Sequence, residues 1–160
     1  MYKVLIVDDE QLIRSGMIAR FQYLNFKFER IREAASGVEA LALLEKEPAD
    51  IVITDIKMPD MDGMTLIREA KEKYPGTQFV ILSGYAEFEY AETAIELGVK
   101  SYLLKPISND ELKRVMRKLF ETLEKERQME VEIFRKHQLE TEQKGWLQEK
   151  AVNHLWQDNA

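Results

Sequence analysis

The sequence predicts an α/β protein: a doubly wound, five-stranded parallel sheet followed by a C-terminal helical extension. Short runs of β-branched and aliphatic residues alternate with stretches of helical period, and polar residues bound each run, as expected of strands buried on both faces. Pro59, Gly63, Pro75-Gly76 and Gly98 fall between the periodic segments. Lys3 to Val7 is the first strand and Gln11 to Leu24 the first helix. A second strand is expected over roughly Phe28 to Ala34, then a helix over Gly37 to Lys46. Ile51 to Thr54 forms the third strand, Pro59 and Gly63 bracket the loop after it, and Met64 to Lys73 is helical. Pro75-Gly76 separates that helix from the strand Phe79 to Leu82. Phe88 to Leu97 follows as a helix with Gly98 at its C-cap, and Ser101 to Leu104 is the last strand. Ser108-Asn109-Asp110-Glu111 opens the final helix with capping residues.

From Leu112 the chain stays helical in pattern. Leu112, Met116, Leu119 and Leu123 recur at a spacing that can continue as a heptad seam, but Glu126 and Glu130 occupy the next seam positions and Ile133 restores only one. Any coiled-coil pairing of Leu123 to Ile133 is therefore expected to be marginal. Past Gly145, the residues Trp146, Leu147, Val152, Leu155 and Trp156 form a second amphipathic piece, readable as a docking surface or as core whose partner domain is missing.

At 160 residues and 45% hydrophobic content, the chain holds one core with an appendage. No apolar stretch approaches the ~20 residues of a membrane span and no signal-peptide pattern precedes the first strand, so a cytoplasmic protein is expected. Zero cysteines exclude disulfides and thiolate chemistry, and two histidines, His137 and His154, are too few for a histidine-rich metal centre. A net charge of -6 gives no basic footprint for nucleic acid.

The chemistry concentrates at strand ends. Asp8 and Asp9 close the first strand, Asp55 the third, Ser83 the fourth and Lys105 the fifth. Right-handed crossovers bring all these ends to one edge, with the ligand site where strand order reverses. Carboxylates gathered there repel unless a cation compensates, and a hard oxygen cluster with few ligands suits Mg2+, which also takes phosphate oxygens. A metal-assisted phosphoryl site is expected. Asp55 can attack, Asp9 can hold Mg2+ with Asp8 assisting, Lys105 supplies a point charge and Ser83 donates a hydroxyl hydrogen bond.

The stretches Val7-Asp8-Asp9-Glu10, Thr54-Asp55-Ile56-Lys57-Met58-Pro59-Asp60-Met61-Asp62-Gly63, Leu82-Ser83-Gly84-Tyr85 and Tyr102-Leu103-Leu104-Lys105-Pro106 together resemble the receiver domain of two-component response regulators, over residues 1–121. The resemblance implies a flavodoxin-like (CheY-like) fold and a phosphoacceptor, Asp55, served by a sensor histidine kinase. It also implies an Mg2+ pocket of Asp8, Asp9, Asp55 and the Lys57 backbone carbonyl, and a switch pair of Ser83 and Tyr102. Lys57 and Tyr85 then flank the attacking water and tune the phosphoryl lifetime. In this reading the domain is no enzyme but takes part in its own phosphorylation and dephosphorylation, with dimerisation as the usual output. The tract Leu82 to Ala91 is similar to receivers of AraC-type regulators, so residues 122–160 are expected to be a helical linker that ends before a DNA-binding domain.

Duller readings stand beside these. Asp9 can cap the first helix, Asp60 and Asp62 read as turn residues around Gly63, Lys105 can be a solvated loop lysine, and Tyr102 can be core with a wet hydroxyl. His137 and His154 read as solvated helix residues. Competing functions are an unphosphorylated receiver-like dimerisation module and a Mg2+-dependent phosphohydrolase. The second usually needs a carboxylate two residues beyond its aspartate, where this chain has Lys57.

Overall fold

Strands and helices alternate without exception in the computed structural model, which describes the backbone of residues 1–84 and 88–158 and the side chains of residues 1–84 and 89–145. Tyr85 lies outside the described residues, as do the side chains of Trp146, His154 and Trp156, so the readings placed on them are not addressed by it. The order is β1 (Lys3–Val7), α1 (Gln11–Tyr23), β2 (Arg30–Ala34), α2 (Gly37–Lys46), β3 (Ile51–Thr54), α3 (Gly63–Lys73), β4 (Gln78–Ser83), α4 (Phe88–Glu96), β5 (Ser101–Leu104) and α5 (Asn109–Asp158). The sheet is parallel with order β2-β1-β3-β4-β5. This is the receiver-type doubly wound fold that the sequence predicts.

The central strands read as unbroken apolar runs because both faces are covered: β3 and β4 are buried along their whole length, and β1 from Val4 onward. Edge strand β2 exposes Arg30 and Glu33. It also starts later than the sequence suggests. Phe28 belongs to the preceding loop, where its ring packs against the buried Phe21 at a centroid separation of 4.9 Å. Strand β4 is longer at both ends than the apolar run Phe79 to Leu82, since Gln78 and Ser83 pair with Ile51 and Leu104. α3 begins at Gly63 because the carboxylate of Asp62 accepts from the Thr65 N–H at 2.8 Å, which makes Asp62 an N-cap. α1 has Glu10 at its N-cap with no side-chain capping bond, so Asp9 is not spent as a cap.

Lys71 of α3 donates to the Leu97 carbonyl at the end of α4. Gly98 follows with φ +72, and a Cβ there would meet the Lys71 Nζ at 2.4 Å. The left-handed conformation calls for glycine.

The chain divides into two compact units, Met1–Leu119 and Phe120–Ala160. Within the second, α5 runs on through Gly145 instead of breaking there. One exposed glycine costs a helix only about 1 kcal/mol relative to alanine, and the flanking residues are strong helix formers. Glu121 and Lys125, Glu132 and Lys136, and Glu140 and Lys144 follow each other four apart with the acid first, an order that supports a helix by about 0.2–0.5 kcal/mol per pair. Met129, Ile133, Phe134 and Leu139 are exposed along it. No helix among the described residues is long and apolar enough to cross a membrane.

Gly63 is the tightest backbone approach, with its N–H donating to the Ile56 carbonyl at 2.7 Å and an added Cβ falling 2.0 Å from the Asp55 carbonyl oxygen. Gly63→Ala must push the backbone of the loop away from Asp55 and is expected to cost at least about 2 kcal/mol. Gly76→Ala, where a Cβ meets nothing within 4 Å, is expected to be neutral or slightly stabilising. Urea midpoints of the two variants against the parent check the pair.

Candidate functional site

The sheet ladders extend one residue past β1, β3 and β5, and those extra residues are the polar ones. Asp8 N–H donates to the Ala34 carbonyl at 3.1 Å, Asp55 N–H to Val7 at 3.0 Å, and Lys105 N–H to Ser83 at 2.8 Å. Each functional side chain is thus fixed by the same hydrogen bonding that builds the sheet. β1 and β3 are neighbours at the point where strand order reverses, so Asp8, Asp9 and Asp55 converge, and one ligand oxygen from each lies within 4.8 Å of the others.

Asp8 and Asp55 are 3% and 6% exposed, whereas Asp9 is open to solvent. Burial of two neighbouring carboxylates demands compensation. Lys105 provides it: Nζ donates to Asp8 Oδ2 at 2.9 Å and to Asp55 Oδ2 at 3.3 Å. The second oxygen of each carboxylate takes a backbone donor, Glu10 N–H on Asp8 Oδ1 at 2.9 Å and Ile56 N–H on Asp55 Oδ1 at 2.7 Å. Among the described residues nothing bonds the Asp9 carboxylate. Three carboxylates with one exposed and free to ligate fit a hard divalent cation.

Ser83 ends β4 fully buried, and Tyr102 sits half-buried against the core on β5. In the β4–β5 register Ser83 pairs with Leu104 and Ile81 with Tyr102, which puts the hydroxyl and the ring on one face, two residues apart. Lys57 stands two residues beyond Asp55 with an exposed side chain.

Two features escaped the sequence. Arg14, on the first turns of α1, donates from Nη1 to the Asp8 carbonyl at 2.5 Å and from Nε to Glu33 at 3.2 Å. An apolar groove of about 550 Å3 lies beside the pocket, lined by Leu12, Gly16, Met17, Leu82, Pro106 and Ile107, with Lys105 and Arg20 on its border. Arg20 is held there by the Ile107 carbonyl. The Arg14 signal lies in a basic residue one helical turn and a half past the acidic pair. The groove has no sequence signal, because its two walls are far apart in the chain.

The family model described as the response regulator receiver domain matches residues 4–117. The chain is 43% identical over 112 residues to the uncharacterized transcriptional regulatory protein YesN of Bacillus subtilis, covering 70% of this chain and 30% of that one. Among solved structures it is similar to the REC domain of AraT, a response regulator of Geobacillus stearothermophilus, at 43% identity and TM-score 0.72, covering 79% and 98% of the two chains. It is also similar to the CheX–CheY–BeF3–Mg2+ complex of Borrelia burgdorferi at 26% identity and TM-score 0.67, covering 74% and 89%. The matched region spans 30% to 48% of the length of the curated relatives.

Burial opposes the charge on Lys105, but its hydrogen bond to Asp8 and the charges of Asp55 and Asp8 outweigh that and raise its pKa above the ordinary 10.5. A raised lysine contributes stability in full below 10.5 and loses it as pH climbs through the folded value. Lys105→Met, which strands two carboxylates, is expected to cost about 1–3 kcal/mol in metal-free buffer. That deficit is expected to stay constant from about pH 7 to pH 9 and to shrink only above about pH 10.5. Thermal melts of parent and variant across this range measure it.

Proposed function

The chain belongs to the response regulator receiver domain family, and from that premise we propose that Asp55 accepts a phosphoryl group from a sensor histidine kinase in a Mg2+-dependent reaction. The observation that carries this reading is the Lys105 ammonium bridging Asp8 and Asp55, with the exposed Asp9 beside them, on one sheet edge. Asp8, Asp9, Asp55 and the Lys57 carbonyl would hold the metal, which would neutralise the charge of the carboxylates and of the incoming phosphoryl group. The Mg2+ and fluoride named for the Borrelia complex support that choice of ion.

Asp55 Oδ1 is committed to the Ile56 N–H, so Oδ2, which faces Lys105, is the attacking oxygen. As the O–P bond forms, the P–N bond to the kinase histidine breaks. Lys105 then moves from carboxylate to phosphoryl oxygen, and the Ser83 hydroxyl donates to another. Drawing Ser83 toward the phosphoryl group opens space on the face it shares with Tyr102, whose ring turns inward and alters the α4–β5–α5 surface. A full reversal of such an equilibrium needs on the order of 5 kcal/mol of differential stabilisation, a scale that charge-assisted contacts to phosphate can supply. Neither Lys57 nor Tyr85 is suited to orienting a water, so slow self-dephosphorylation belongs to this reading.

The apolar groove is the surface we assign to the kinase. It borders Lys105, and Leu12 on its rim is 86% exposed. Residues 122–160 act as a helical linker between this receiver and an output domain, with dimerisation as the transmitted signal. The kinship with a transcriptional regulator supports a DNA-binding output, which would reach DNA through residues other than these.

Intact mass after incubation with acetyl phosphate and Mg2+ is expected to show one adduct of ~80 Da in the parent, none in Asp55→Asn, and none with chelator. No adduct in the parent, with beryllofluoride also failing to bind, would leave a receiver-shaped association module instead.

A further inference from the structure

We infer that Arg14 is a positioning residue for the cation pocket: by holding the Asp8 carbonyl it sets where the Asp9 carboxylate points, and Glu33 holds Arg14 in turn. This deepens the reading of the acidic cluster as a Mg2+ site and rests on it.

The three carboxylates are restrained very unequally. Asp8 is determined at every polar atom: its N–H by Ala34, its carbonyl by Arg14, Oδ1 by Glu10 N–H and Oδ2 by Lys105. Asp55 has a donor on each carboxylate oxygen. Asp9 is exposed and its side chain is bonded by nothing among the described residues. Its direction therefore depends on its backbone, and the peptide plane that leads into it carries the Asp8 carbonyl. Because that plane is rigid, fixing the carbonyl fixes the entry to Asp9. Arg14 Nη1 does so at 2.5 Å.

The guanidinium is itself aimed. Its Nε meets Glu33 at 3.2 Å near the end of β2, and its side chain is only 14% exposed. Two edges of a planar fork are thus committed, one to the carboxylate and one to the carbonyl, which a lysine cannot reproduce. Groups that orient metal ligands from behind commonly change affinity by about 10–100-fold when removed.

The sign of the effect separates positioning from simple electrostatics. Arg14→Met removes a positive charge and leaves Glu33 unpaired, so the local field becomes more negative and charge alone predicts tighter Mg2+. Positioning predicts weaker Mg2+. Titration calorimetry of Mg2+ into the whole chain, read with the Mg2+ concentration that half-saturates acetyl-phosphate labelling, is the test. Arg14→Met is expected to weaken affinity about 10-fold or more, with labelling near the parent level at saturating Mg2+. Arg14→Lys is expected to restore part of the loss and Glu33→Gln to lose a smaller amount. If Arg14→Met does not fold, the Arg14→Lys and Glu33→Gln variants carry the decision. Parent-like or tighter Mg2+ binding in the folded variants overturns the inference while leaving the Mg2+ site intact. A parent chain that binds no Mg2+ overturns both.

Discussion

One ammonium set between two buried carboxylates is the contact on which the rest depends. Lys105 comes from the last strand and Asp8 and Asp55 from the first and third, so the ion pair joins the two halves of the sheet at its polar edge. Without it, Asp8 and Asp55 would be neighbouring charges taken out of water with no cation to offset their burial. The pocket is therefore built around a cation.

Much of this architecture was legible because of where the burial lies. β1 and β3 have the bounds their apolar runs suggest, since a strand covered on both faces must be apolar throughout, and the edge strand β5 keeps its expected bounds as well. The convergence of Asp8, Asp9, Asp55 and Lys105 followed from the same logic, as all four come directly after strands that topology brings to one edge. The other edge strand was harder. β2 carries Arg30, Arg32 and Glu33, so the apolar Phe28 drew the expected start forward, although its ring serves the α1 side of the core.

Other features depend on contacts that a linear pattern does not encode. Arg14 looks like an ordinary surface residue of α1 until β2 supplies Glu33 and β1 supplies the Asp8 carbonyl. The groove needs α1 and the segment after β5 side by side. The last helix shows the converse case, where a local signal was overruled: Gly145 is a helix breaker in pattern, but acid-before-base pairs and strong helix formers on both sides carry α5 through it.

The tie from Lys71 to the Leu97 carbonyl bears on where α4 opens first. α4 is short, and Ala94 is the one fully buried side chain among those described in it. Helices with so little burial open locally at a small fraction of the global unfolding free energy. The lysine pins the C-terminal end of such a helix to its neighbour α3, leaving fraying to begin at the opposite end. Motion in α4 is thereby given a direction along the helix.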